Sequence, residues 1–140
     1  MRRRIITVVF IIYLAVLFRI TVFRSDFAFS NFLTGGNVNF NLFGDLIMIA
    51  KNDIFSFIYL FIGNIIWFVP FGFILPLLGI KKKLTLILGA VLSLVIEVMQ
   101  LLFDVGFTEL DDLILNTLGC GIGIMLFCLF SHFRERMRHN

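Results

Sequence analysis

Glu97 sits in a run, Leu84 to Phe103, whose other nineteen residues carry no charge. A carboxylate at the centre of such a segment costs about 3 kcal/mol in hydrocarbon, so it must face a cavity or a partner and is a functional candidate. It has company on its own face. Gly89, Ser93, Glu97 and Gln100 are spaced by four, four and three, which gathers them within about 80° of one helical face. Asp112, Asn116, Gly119 and Gly123 fall within about 60° of each other by the same count. Asn64 is polar within a 27-residue charge-free run from Ile54 to Ile80, and Arg19 interrupts an apolar run near the start. Paired carboxylates such as Glu97 and Asp112 can act as general acid and base. Arg19 or Arg24 is the nearest cation, and an arginine paired with such a group can exchange it for a phosphate or carboxylate on a ligand. The plain alternative is that Asn64, Glu97, Gln100 and Asn116 knit helices together through hydrogen bonds worth about 0.6 to 2 kcal/mol each. An amide would do that at lower cost than Glu97.

Helices crossing a bilayer would position these groups. The 140 residues are 60% hydrophobic, include 19 Phe and are only 15% charged, with a mean hydropathy of +1.04. A water-soluble domain of this size cannot bury so much apolar surface. The arithmetic excludes a soluble enzyme. It also argues against nucleic acid as a partner, since the basic residues behind a pI of 9.2 are dispersed along the chain. Uncharged or nearly uncharged stretches place transmembrane helices at about 5–23, 56–79, 84–103 and 112–130, each near the 20 residues that span hydrocarbon. The first requires Arg19 to snorkel to the headgroups. Arg2, Arg3 and Arg4 before an apolar run also suit a signal peptide, but no small-x-small cleavage site follows, and an uncleaved helix is preferred.

Charge sets the orientation. Arg2–Arg4, Lys81–Lys83, Arg134, Arg136 and Arg138 put nine of the twelve basic residues on one side of a four-helix arrangement. Asp26, Asp45, Asp53, Asp104, Glu109, Asp111 and Asp112 put seven of nine acidic residues on the other. The positive-inside rule predicts an N-in/C-in topology with both termini cytoplasmic. The external loop 24–55 is too long for a turn. After Gly35-Gly36, residues 37–42 alternate polar and apolar as an extended segment would, and Phe43, Leu46, Ile47 and Ala50 recur as an amphipathic helix would. The second external segment, 104–112, leads into the fourth helix, where Thr108 or Asp111 can cap and Asp111 and Asp112 suit the helix dipole. With this orientation Arg19, Asn64, Glu97, Gln100 and Asn116 converge on the outer half of the membrane. That implies a pocket open to the outside.

Other motifs are weak. His132 and His139 lie in the tail without metal-ligand spacing to cysteine, so no metal and no cofactor is expected. Cys120 and Cys128 lie about 12 Å apart on one helix and cannot pair with each other. Gly119, Gly121 and Gly123 are packing residues with no strand before them, not a phosphate loop.

Three segments together carry a family resemblance. Asn64-Ile-Ile-Trp-Phe-Val-Pro-Phe-Gly-Phe-Ile-Leu-Pro-Leu-Leu78, then Ser93-x-x-x-Glu97-x-x-Gln100, then Leu110-Asp-Asp-Leu-Ile-Leu-Asn-Thr-Leu-Gly119 resemble the VanZ-like family of bacterial membrane proteins over roughly residues 60–125. Asn64, Pro70, Gly72, Glu97, Gln100, Asp111, Asp112, Asn116 and Gly119 match the family's motifs. An arginine that members often carry shortly before the Asp-Asp pair is absent here, where Phe107-Thr-Glu109 stands, and the first loop lacks a proline that members often show. The resemblance implies one membrane domain over 1–140, a bacterial plasma-membrane location and a role in the cell envelope, with resistance to teicoplanin-like lipoglycopeptides as one outcome. The expected partners are the lipid bilayer and an envelope lipid or glycolipid in the outward pocket, with homo-oligomers left open. A lipid-modifying enzyme using Glu97 and Asp112, or a structural subunit packed through Gly119 and Gly123, are the alternatives.

Overall fold

A computed structural model describes residues 2–23, 27–33, 38–39, 41–105 and 108–139. Arg24, Asp26, Gly35-Gly36, Asn37 and Phe107, raised above, lie outside the described residues. The chain is all-α. Its helices are α1 (Arg2–Thr21), α2 (Gly44–Asn52), α3 (Ile54–Leu77), α4 (Lys82–Phe103) and α5 (Leu110–His139), and two short extended pieces, β1 (Val38–Asn39) and β2 (Thr108–Glu109), also form. α1, α3, α4 and α5 are long and apolar enough to cross a membrane. Their outward residues remain apolar and exposed, as at Ile11, Ile12, Ile66, Val91 and Leu118, which suits a lipid solvent.

α3 and α5 make the most extensive contact in the molecule, because glycine allows it. A Cβ on Gly119 would stand 2.1 Å from the Ile65 carbonyl oxygen, one on Gly123 2.1 Å from that of Val69, and one on Gly72 2.0 Å from that of Cys120. The two backbones therefore touch along two turns. Around this seam Leu17, Val22, Phe68, Phe71, Leu75, Ile96 and Cys120 form the buried core. α3 runs unbroken through Pro70 and Pro76. Proline removes a donor from the ladder, and beside Pro70 the Tyr13 hydroxyl of α1 donates to the Trp67 carbonyl at 2.7 Å.

Helix ends explain the turns. Asp53 caps α3, accepting from the Ser56 hydroxyl and from the Ser56 and Phe55 amides, and these bonds, led by the hydroxyl, hold its carboxyl below the usual range. Gly79 ends the α3–α4 turn at φ +90°, a left-handed conformation that suits glycine. The bundle thus has a basic end, where Arg3 donates to the Leu78 carbonyl beside Lys81–Lys83. At the opposite, acidic end lie the described residues of the first loop, 27–33, 38–39 and 41–53, and the start of α5.

Candidate functional site

β1 and β2 pair in parallel at the acidic end, Val38 opposite Thr108 and Asn39 opposite Glu109. The extended piece expected in the first loop is therefore a ladder partner for the segment before α5. Asn39 organises the corner, with its side-chain amide donating to Asp45 at 2.7 Å and its carbonyl oxygen accepting from the Asn41 amide at 2.9 Å. It also bonds the Glu109 carboxylate. α2 follows where a helix was expected; of the expected stripe Leu46 is buried and Phe43 and Ala50 are half-buried, while Ile47 is exposed together with Met48.

Asp111 does something the sequence did not disclose. Its carboxylate is buried and accepts the Phe43 amide through both oxygens at 2.9 Å, clasping the start of α2 to the first turn of α5 across 68 residues of sequence. Phe43 has a left-handed backbone, φ 55°, and the clasp helps hold it there. Asp112 instead accepts from the Asn64 side-chain amide of α3.

Glu97 is buried, and one oxygen accepts the Glu109 amide at 3.1 Å. That amide precedes α5, where unpaired donors and the positive end of the dipole favour an anion. Glu97, Asp111 and Asp112 thus converge on one helix start, and Glu97 and Asp112 are close enough to repel one another. Burial pushes the Glu109 carboxyl above its ordinary value, Asp111 and Asp45 push it further, and the Asn39 bond opposes them.

The amides join helices. Asn116 of α5 donates to the Ser93 hydroxyl of α4 at 2.9 Å. Gln100 of α4 donates to the Thr21 carbonyl at the end of α1 at 3.1 Å. Together with Asn64 and Asp112 these bonds link all four long helices, as the helix-knitting alternative requires. Among the described residues, Gln100 Oε1 is buried with no hydrogen-bond partner, on the same face of α4 as Glu97.

Arg19 does not join the cluster. It turns to the Phe23 carbonyl at the end of its own helix and stays on the exposed side, because α1 ends there and leaves that oxygen unpaired. The Gly119–Gly123 face is filled by α3 of the same chain, so it is not a free docking face for another subunit. Pro70 and Gly72 lie on α3, Gly72 in the seam. Among the described residues no three His, Cys, Asp or Glu side chains gather in a metal-holding group.

Beside the cluster lies an aromatic shelf, in the aromatic-rich first loop. Phe27 packs on Phe23 and Phe103 at 4.8 Å and on Phe29 at 5.2 Å, and Phe32 meets Phe103 at 5.4 Å. Phe29 is 80% and Phe32 50% exposed. The Leu33 amide ties this segment to the end of α4, donating to the Leu102 carbonyl at 2.8 Å. Phe23, Phe27, Phe29 and Phe32 lie close together in the sequence, but no spacing marks the distant Phe103 as the ring they gather on.

No solved structure matches this chain. Protein VanZ of Enterococcus faecium is 39% identical over 80 residues, which are 54% of this chain and 48% of that protein. The match thus spans about half the length of that relative. The family model described as VanZ/LLP1 matches residues 10–131, a stretch that contains the seam glycines, the three interhelical amides and the carboxylates at the start of α5. A multi-pass helical bundle with this polar constellation and that match belongs to the VanZ/LLP1 family.

Proposed function

We propose that the chain is a plasma-membrane protein of the bacterial envelope, with both termini cytoplasmic, whose acidic end faces outward and binds an amphiphilic envelope component. The observation that carries this is the convergence of Glu97, Glu109, Asp111 and Asp112 beside the exposed Phe29–Phe32 shelf. Carboxylates only accept hydrogen bonds, as does the unpartnered Gln100 Oε1, so the matching head group offers O–H or N–H donors, as a sugar or an amine does. Its acyl part suits the aromatic shelf, since exposed Phe rings offer apolar surface against which acyl chains pack. Resistance to teicoplanin-like lipoglycopeptides, implied by the family, follows if the bound component is the drug or its envelope target.

The test is drug susceptibility of cells expressing the protein and its E97Q, D112N and E109Q variants at equal membrane levels. Susceptibility should rise in each variant, because a lost charge-assisted bond costs about 1.5–3 kcal/mol. Unchanged protection in all three contradicts the proposal. The nearness of Glu97 and Asp112 also suits an acid–base pair acting on lipid. Incubation with total envelope lipids, producing a mass change that vanishes in E97Q, would favour that second reading.

A further inference from the structure

The basic end of the bundle carries a feature that the proposed function leaves unused. α5 has 30 residues, whereas hydrocarbon needs only about 20. Counted from Leu110, the surplus begins near Ser131, so the last turns of α5 stand in the headgroup layer beside the end of α3. There a cavity of about 310 Å³ opens between the two helices. Its apolar wall is Pro76 and Leu77 of α3 with Phe127 and Phe130 of α5, and its polar wall is Ser131, Arg134 and Arg138. Polarity thus changes along the cavity in the direction in which a lipid changes from acyl chain to head group.

Arg134 and Arg138 are four residues apart and share one face of α5. Among the described residues neither has a hydrogen bond or ion pair. Glu135 also lines the cavity, and one carboxylate against two guanidiniums leaves a positive balance. Both arginines lie beyond residue 131, where the family match ends. A second cavity over Arg3, Arg4, Thr7 and Val8 has α1 alone as its wall, and Arg3 is engaged with Leu78, so it makes the poorer site.

We infer that the cavity between the ends of α3 and α5 is a site for an anionic phospholipid, whose phosphate is held by Arg134 and Arg138 and whose chains lie along Phe127 and Phe130. Guanidinium forks match phosphate oxygens in pairs. The volume holds a head group but not the chains, which continue over the apolar wall into the bilayer. The inference stands on the basic end alone and does not depend on the acidic one.

The full chain, purified in mild detergent, is offered phosphatidylglycerol, phosphatidylcholine of the same acyl chains, or inorganic phosphate, and retained lipid is counted by native mass spectrometry. Phosphatidylglycerol should be retained in preference to phosphatidylcholine. The R134Q/R138Q double variant should lower that retention by about fivefold per arginine, while R136Q, which removes one such charge from a residue outside the cavity, should leave it near wild type. R134K/R138K keeps both charges but loses the forks, and it should fall between wild type and the double glutamine variant. Circular dichroism and size exclusion establish that each variant is folded, and the lysine pair alone carries the test if the glutamine pair does not fold. Equal retention of the two lipids, an equal loss in R136Q, or displacement of phosphatidylglycerol by inorganic phosphate would overturn the inference.

Discussion

At the scale of single residues, Asp111 and Glu109 show how carboxylates can be structural without being equivalent. Asp111 is buried against an amide 68 residues away. D111A leaves that donor without its partner, at a cost of about 1–3 kcal/mol, and frees the start of α2. Tryptic cleavage after the exposed Lys51 should accelerate in D111A, and an unchanged rate would show that α2 is held by other contacts. Glu109 behaves differently because burial raises its folded pKa above the ordinary 4.5. The folded state then binds more protons than the unfolded state between 4.5 and the raised value. Stability falls as pH rises through that window and is fully retained below it. Thermal melting in detergent should therefore show a decline across the window that is shallower in E109Q.

At the scale of elements, the α3–α5 seam is the strongest constraint. A Cβ at Gly119 or Gly123 meets backbone, not a movable side chain, so G119A or G123A must push the helices apart. The expected loss is about 1–3 kcal/mol, read as a lower melting temperature, whereas G121A, with open space around it, should melt like wild type. The four spans were legible in the sequence because apolar runs of about 18 residues or more with at most one charge leave few other structures open. The helical faces that group Ser93 with Glu97 and Asp112 with Asn116 were legible too, since helical phase fixes them, and the Asn64–Asp112 and Asn116–Ser93 bonds run from those faces. The clasp by Asp111 was not legible: capping its own helix and holding a distant amide call for the same residue type. Nor was Arg19's turn to its own helix end, a choice made by the local carbonyl. The pairing of β1 with β2 depends on how two loops meet, which no periodicity encodes.

At the scale of the whole molecule, the two ends differ in charge and chemistry. Nine basic residues mark one and, among the described residues, six acidic residues mark the other. In the proposed orientation, which follows the positive-inside rule, the basic end is cytoplasmic, so reporter fusions at the N- and C-termini should both report cytoplasm, and a periplasmic or external signal from either would invert the account. The central claim is that the acidic end holds an amphiphile. Its most direct test is mass spectrometry of what copurifies in mild detergent with the wild-type protein and with an E97Q/D112N double variant of equal fold. The account predicts an envelope glycolipid or amine-bearing amphiphile retained by the wild type and depleted at least about tenfold in the variant, the loss that about 1.4 kcal/mol of binding free energy produces. An identical set of lipids on both proteins would contradict it.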